Sequence, residues 1–253
     1  GGQGLPKLVA TPCNEMLNTA NLSFALCPLL TDGAIEALLT AGTDAQKSLF
    51  LPRLISGEWT GTMNLTEPQA GSDLSLVRSR AVPQADGSYK VSGTKIFITY
   101  GEHDMAENIV HLVLARTPDA PEGVKGISLF LVPKFLVNDD GSLGARNDVE
   151  CVSIEHKLGI KGSPTGQPVF EDVRVPAENV IGEVGRGMAV ALSTLERTRL
   201  GAGAQAVMKM FEYGSGVIAA KRAKPGDDLA SRLLAAEVDG RRLDDMEFLL
   251  FFL

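Results

Sequence analysis

The chain is predicted to be an α+β protein in which helices precede and follow a β-rich middle. Three observations predict that order. Apolar residues keep helical spacing up to Gly57; short β-branched and aromatic runs, separated by Gly, Pro, Asn and Asp, fill the stretch from Glu58 to about 181; and helical periodicity returns at Met188. Because no helical pattern is interleaved among the β runs, the middle is expected to be an antiparallel barrel or sandwich rather than a doubly wound sheet.

Residues 12–56 read as helices folded into a hairpin. Thr43, with Gln46 three positions on, makes a capping box that opens "DAQKSLFLPRLISG", where Leu49, Phe50, Leu54 and Ile55 hold the spacing until Gly57. Pro52 is expected to kink this helix or restart it. Beyond Glu58, "SYKVSGTKIFITY" contains two strand-like runs around Ser92-Gly93, and "NIVHLVLAR", "GISLFLVPKF" and "PVFEDVRVP" add further strands. After "GEVGRG" the period is helical from Met188 to about Lys221. The expected divisions are a helical part at 1–57, a β-domain at 58–181, the start of a second helical part at 182–207 and a helical tail at 208–253.

With 253 residues, 44% hydrophobic and 22% charged, the chain can bury a sizeable core. Its 24 Lys and Arg against 31 Asp and Glu give a net charge of -7, which leaves no electrostatic footprint for nucleic acid or an anionic membrane. Cys13, Cys27 and Cys151 form no C-x-x-C pair, so neither a disulfide framework nor a zinc site is suggested, and a reducing cytoplasm is expected. The amino end lacks a secretory pattern, and no continuous run of 18 apolar residues suggests a membrane span. The chain has no initiator Met and both ends fall inside what read as structured elements, so it is expected to be a piece of a longer protein. His103, His111 and His156 form no H-E-x-x-H or H-x-H arrangement, and no metal site is expected. "GAGAQA" at 201–206 matches G-x-G-x-x-A but follows the helical "ALSTLERTRL" rather than a strand; close helix packing is the better reading than a dinucleotide site.

Two segments stand out. In "MNLTEPQAGSD", Pro68 and Gly71 make a bend behind an apolar stretch, and bends of this kind expose backbone N–H groups to a partner. In "GTKIFITYG", Thr99 ends a strand-like run as Thr66 does in the first segment. Taken singly these threonines are ordinary strand-end residues; as a pair in one β-domain they are more informative.

Together, "NLTEPQAGSD", "GTKIFIT", "KGISLFLVPK" and "VFEDVRVPAENVIGEVGRGM" closely resemble the acyl-CoA dehydrogenases, in that family's order and spacing, from residue 1 to about residue 206. "SGEWTGTMNLTEPQAGSD", "GEHDMAENIVHLVLARTPDAPEGVKGISLF" and "IEHKLGIKGS" resemble the longer branch of that family. The resemblance implies a partial acyl-CoA dehydrogenase-like fold and FAD as cofactor. It implies that donors at Met63, Leu65 and Thr66 face the flavin's pyrimidine edge and that Ser72 touches the CoA arm. Phe97 stands where a tryptophan commonly lies against the ring system, with Ile98 beside it and Thr99 reaching the hydride-accepting nitrogen. Phe97 brings no indole N–H, and Tyr100 stands where many relatives carry Asn or Ala. This mixture suits a flat apolar plate with polar edges.

The implied reaction is α,β-dehydrogenation of an acyl-CoA thioester, in which a carboxylate removes the α-proton while the β-hydrogen leaves as hydride to the flavin. In many family members the base lies in a C-terminal helical domain; a minority place it in an L-E-R sequence, and this chain reads "TLERTRL". Aligning on Leu195-Glu196-Arg197 makes Glu196 the base. Aligning on Thr198-Arg199 instead places Glu196 among CoA-contacting positions with Arg199, and an ordinary i,i+3 surface pair between the two is the bland alternative. The resemblance further implies an acyl-CoA substrate, an electron-transfer flavoprotein as redox partner and a homo-oligomeric full-length protein. A noncatalytic FAD- or CoA-binding remnant and an acyl-CoA oxidase are the alternatives. Residues from about 208 depart from the family: "KPGDDLASRLLAAEVDGRRLDDMEFLLFFL" resembles a segment of the haem-thiolate monooxygenases, as in a chimeric join. The alternative there is an ordinary charged helix pair with a "VDG" turn.

Overall fold

The first helical element, α1 (Lys7–Ala41), has non-helical backbone at Asn21, φ −157° and ψ 88°, so it is two helices meeting at a kink. Asn21 Oδ1 accepts from the Phe24 N–H at 3.0 Å and caps the second of them. The next helix, α2 (Asp44–Ser56), opens on both halves of the expected capping box: the Gln46 N–H donates to Thr43 Oγ1 at 3.2 Å, and the Thr43 N–H donates to Gln46 Oε1 at 2.9 Å. It ends at Gly57, whose φ of 84° is the left-handed conformation that glycine adopts without strain. Pro52 neither breaks nor restarts α2, contrary to expectation. Phe50 and Leu54, on either side of it, are buried in the core and hold the helix through the missing hydrogen bond.

This computed structural model describes residues 7–195, 215–235, 237–238 and 241–242. The chain divides into two compact units, Gly1–Thr198 and Arg199–Leu253.

In the first unit the strands are β1 (Trp59–Asn64), β2 (Arg80–Pro83), β3 (Tyr89–Thr94), β4 (Ile98–Thr99), β5 (Asn108–Arg116), β6 (Ile127–Pro133), β7 (Phe135–Val137), β8 (Leu143–Arg146), β9 (Val149–Ile154) and β10 (Thr165–Val175). Eight form one sheet, in the order β1-β5-β2-β3-β10-β4, with β6 on β5 and β9 on β10; β7 and β8 make a separate hairpin. The sheet is mixed where a purely antiparallel one was expected. β1 runs parallel to β5, from Trp59 opposite Asn108 to Asn64 opposite Val113, and β2 meets β5 in parallel at Arg80 and Arg116. The reason is connectivity: the chain leaves β1, builds β2, β3 and β4, and returns to β1's side as β5, and such a crossover delivers a strand pointing the same way. A second difference concerns the break in "SYKVSGTKIFITY". β3 runs on through Ser92 and Gly93, and the interruption falls at 95–97 instead.

Two cores result. Outside the sheet, Ala34, Ala37, Leu38, Phe50 and Leu54 of the helices pack on Trp59, Leu112, Leu114, Leu129 and Leu131, joined by Met188 and Ala191 from the helical residues 187–195. Gly61 allows this closeness, since a Cβ there would fall on Ala34 Cβ. Inside the curl of the sheet, Val91, Val113, Phe130, Phe170 and Val173 form the second core. β5 and β6 lie between the two, which is why "NIVHLVLAR" and "ISLFLVP" are buried at nearly every position and largely apolar.

By length and composition, Ala10–Ala41 is long and apolar enough to cross a membrane, a span the sequence reading did not expect. Ala34, Ala37 and Leu38 within it are buried in the outer core, the role of a core helix. In the second unit, residues 215–223 are helical and Leu229–Ala235 forms a short helix whose first turn is met by Asp228, which accepts from the Ser231 N–H at 3.1 Å. Asp228 also pairs with Lys221 at 2.7 Å. Glu237–Val238 and Arg241–Arg242 pair as two short antiparallel strands, where the expected alternative was a pair of helices.

Candidate functional site

The end of β1 with the residues after it and the segment around β4 carry six of the site residues named from the sequence, and the fold ties the two segments together. The Thr62 hydroxyl donates to the Thr99 carbonyl at 2.8 Å, and the Ile96 N–H donates to the Thr66 carbonyl at 2.9 Å. Met63 and Leu65 are half-buried against the outer core, Thr66 and Thr99 are half-buried, and Ile98 is buried. Among the described residues, the Thr66 and Thr99 hydroxyls are engaged by no protein group, so both are free to meet a ligand.

Phe97 and Tyr100 flank Ile98-Thr99 and have φ of 59° and 53°. A bulky side chain at positive φ is strained by roughly 1–3 kcal/mol and persists only where its surroundings over-determine it. Tyr100 is held in place: it is buried, its N–H donates to the Pro164 carbonyl at 2.8 Å and its hydroxyl donates to the Ser23 carbonyl of α1 at 2.6 Å. Phe97 is not covered. The residue is 59% exposed, an aromatic ring in water one position from Ile98 and two from Thr99. An exposed aromatic ring suits the apolar plate of a flavin, and unengaged hydroxyls suit its polar edge.

The bend at 67–71 is a tight turn in which the Ala70 N–H donates to the Glu67 carbonyl and the Glu67 N–H to the Ala70 carbonyl, each at 3.0 Å, with Pro68 preset at its second position. The turn thus satisfies the Glu67 and Ala70 N–H groups within itself. Ser72 lies past it, on the surface, and Asp73 closes the next half-turn by accepting from the Ser75 N–H at 2.9 Å. Glu196 and Arg199 lie outside the described residues, as does "GAGAQA".

The sequence reading missed the charged pair beneath the site. Glu67 and Lys95 are 3% and 0% exposed and meet at 2.7 Å. Glu67 accepts from Lys95 Nζ, from the Arg78 N–H at 2.7 Å, from the Ser79 N–H at 3.1 Å and hydroxyl at 2.6 Å, and from Gln69 Nε2 at 2.6 Å. Lys95 Nζ also donates to the Leu65 carbonyl at 3.3 Å. Burial pushes the Glu67 carboxyl up, but the Lys95 charge and these donors outweigh it and hold the group below its usual range. Burial pulls Lys95 down to about 8 against the opposing pull of Glu67. A signal was available: both charges sit inside the two conspicuous motifs, and Lys95 interrupts a strand-like apolar run.

Beside β1, on the adjacent strand β5, lies a second buried polar group, His111. Its Nδ1 lies 3.2 Å from Asn64 Nδ2, and burial, with the charges of Lys134 and His103, lowers it to about 3, so the ring is neutral.

The comparisons with known proteins agree with this geometry. The family model for the acyl-CoA dehydrogenase N-terminal domain matches residues 1–58, and that for the middle domain matches residues 62–173. Over these residues the chain belongs to the acyl-CoA dehydrogenase family. It is 56% identical over 207 residues to 3-methylmercaptopropionyl-CoA dehydrogenase of Ruegeria pomeroyi, a match covering 82% of this chain and 35% of the relative. A butyryl-CoA dehydrogenase of Syntrophomonas wolfei is 43% identical over 205 residues, covering 79% of this chain and 34% of the relative. The chain therefore spans about a third of the length of these curated relatives. The solved butyryl-CoA dehydrogenase of Megasphaera elsdenii superposes with a TM-score of 0.70 at 30% identity, over 98% of this chain and 58% of that one. A chain in the structure of the electron transferring flavoprotein of Acidaminococcus fermentans gives 0.69 at 30% identity, over 94% of this chain and 56% of that one.

The haem-thiolate resemblance of the tail finds no such support. A second Syntrophomonas wolfei butyryl-CoA dehydrogenase matches 94% of the chain at 38% identity, which carries the acyl-CoA dehydrogenase match past residue 207.

Proposed function

We propose that this chain is the flavin-holding part of an FAD-dependent acyl-CoA dehydrogenase. FAD would lie against Phe97 and Ile98, with its polar edge met by Met63, Leu65, Thr66 and Thr99. In this reading the helical part is 1–57, the β-domain 58–181, the start of the second helical part 182–207, and 208–253 a diverged helical tail. The observation that carries the proposal is the pairing of the 62–66 and 96–99 segments, which ties the stretch bearing Thr66 to the stretch bearing Thr99 and the exposed Phe97, a residue held at positive φ.

The chemistry that FAD supplies when bound is acceptance of the hydride from the acyl β-carbon. The chain's own residues would do the rest. Thr66 and Thr99 place hydroxyl dipoles along the edge, where preorganised donors stabilise developing negative charge. Phe97 and Ile98 exclude water from one face. Ser72, on the surface beyond the turn, would meet the CoA arm, with Arg199 a second contact for it. Glu196 is the proposed base for the α-proton, in the register that aligns "LER".

The substrate class is an acyl-CoA thioester, the redox partner an electron-transfer flavoprotein, the full-length protein a homo-oligomer and its location the cytoplasm. Titrating FAD and then an acyl-CoA under anaerobic conditions tests the reading. Saturable FAD binding followed by bleaching of the flavin band supports the enzyme. FAD binding with no bleaching by short, medium or long acyl-CoA supports a noncatalytic flavin-binding remnant instead.

A further inference from the structure

We infer that the buried Glu67–Lys95 pair is a positioning device that aims the Leu65–Thr66 peptide, holding the Thr66 N–H outward at the edge where the proposed flavin sits. The inference rests on the flavin-site reading but is carried by different atoms.

Lys95 Nζ takes the Leu65 carbonyl at 3.3 Å from the buried side. Among the described residues no peptide is cis. In a trans peptide the carbonyl of one residue and the N–H of the next point in opposite directions within one plane. With the Leu65 carbonyl drawn inward to Lys95, the Thr66 N–H must point away from it. The carbonyl of Thr66 itself is fixed by the Ile96 N–H at 2.9 Å, so the residue is held at both of its peptide planes.

Glu67 in turn fixes the ammonium. Its carboxylate gathers Gln69, the Arg78 and Ser79 N–H groups and the Ser79 hydroxyl around one point, leaving Lys95 Nζ one place to sit. A cation on the carbonyl side of a peptide also polarises it, which strengthens the N–H on the other side as a donor.

The energetics argue against a purely structural role. Removing two charges from water is expensive, and a buried ion pair replaced by well-packed apolar groups is often neutral or stabilising. Both charges are at most 3% exposed, so each bears the cost of leaving water. The direction the pair gives to the peptide is what an apolar replacement would lose.

The test uses the full chain, with Lys95→Met, Glu67→Gln and, as a control, Val173→Ala in the inner core. Two measurements are made on each: the Leu65 carbonyl 13C and Thr66 amide 15N shifts without flavin, and the dissociation constant for FAD. Both pair variants are expected to move the Leu65 and Thr66 resonances and to weaken FAD at least tenfold. Val173→Ala, compared at a temperature giving the same folded fraction, is expected to leave both within twofold of wild type. If Lys95→Met or Glu67→Gln folds and leaves those resonances in place, or weakens FAD no more than Val173→Ala does, the inference is overturned. If neither pair variant folds at all, the pair is structural and the inference is likewise overturned. A wild-type chain that binds no FAD would refute the flavin reading; the resonance shifts would still decide whether the pair sets the peptide.

Discussion

Phe97 joins two costs that a ligand-free fold has no use for: a left-handed backbone at a bulky residue and an aromatic ring in water. Replacing it with glycine removes the strain while adding chain entropy of about 0.5–1 kcal/mol to the unfolded state. Phe97→Gly is therefore expected to leave thermal stability unchanged or raise it by about 1 kcal/mol, while weakening FAD at least tenfold, as read by melting and by flavin titration. His111 gives a pH prediction. Its buried ring stays neutral down to about 3, whereas in the unfolded chain it takes a proton near its usual 6.5. The unfolded state thus binds more protons through that window, so the stability this group contributes is present above about 6.5 and is lost as pH falls toward 3. Between pH 6.5 and 5 the loss from this group is roughly 2 kcal/mol. Denaturant unfolding of His111→Gln is expected to show a correspondingly flatter slope over that range, even though the variant starts less stable for want of the Phe170 ring contact. An unchanged slope would mean that His111 is not held neutral.

Helices and strands meet here at points where a small side chain lets two elements touch. At Gly61, β1 lies against α1 so closely that an added Cβ would strike Ala34. Gly61→Val is expected to destabilise the first unit by about 1–3 kcal/mol, since neither backbone can retreat from a packed core. Urea midpoints at constant m-value check this. Much of the element order was legible from residue 12 to 181 because periodicity and caps are local: Thr43 and Gln46 form their box, Gly57 ends its helix, and the runs at 108–116 and 127–133 are strands. What was not legible depends on distant partners. The parallel pairing of β1 with β5 follows from a crossover of more than forty residues. The survival of α2 through Pro52 follows from the burial of Phe50 and Leu54. The break after β3 falls where Lys95 turns inward to a glutamate nearly thirty positions earlier; the lysine within "SGTKIF" marks the place, but its partner is not local. In the same way the Thr66 and Thr99 segments could be named from motifs, but the ion pair that anchors them appears only when both motifs are in place.

At the scale of the whole molecule, a chain spanning about a third of its curated relatives has to supply three things for dehydrogenation: a flavin edge, a base within hydrogen-bond reach of the α-proton, and exclusion of water. The described residues carry the proposed form of the first. Because misplacing a reacting group by about 1 Å costs on the order of a hundredfold in rate, the isolated chain is expected to bind FAD weakly and to turn over acyl-CoA at no useful rate. Rapid anaerobic reduction of bound flavin by a short or medium acyl-CoA would show the site to be complete, and its loss in Glu196→Gln would then mark Glu196 as the base. The central claim is that the edge at 63–66 and 97–99 holds the flavin. It is tested most directly by calorimetric titration of FAD into the full chain and into the Thr66→Val, Thr99→Val double variant, which keeps the shape of both side chains and removes only their hydroxyls. The account predicts saturable binding at one FAD per chain in the wild type, weakened at least tenfold in the double variant with its circular dichroism unchanged. Equal affinity in the two proteins, or no binding by a folded wild-type chain, would contradict it.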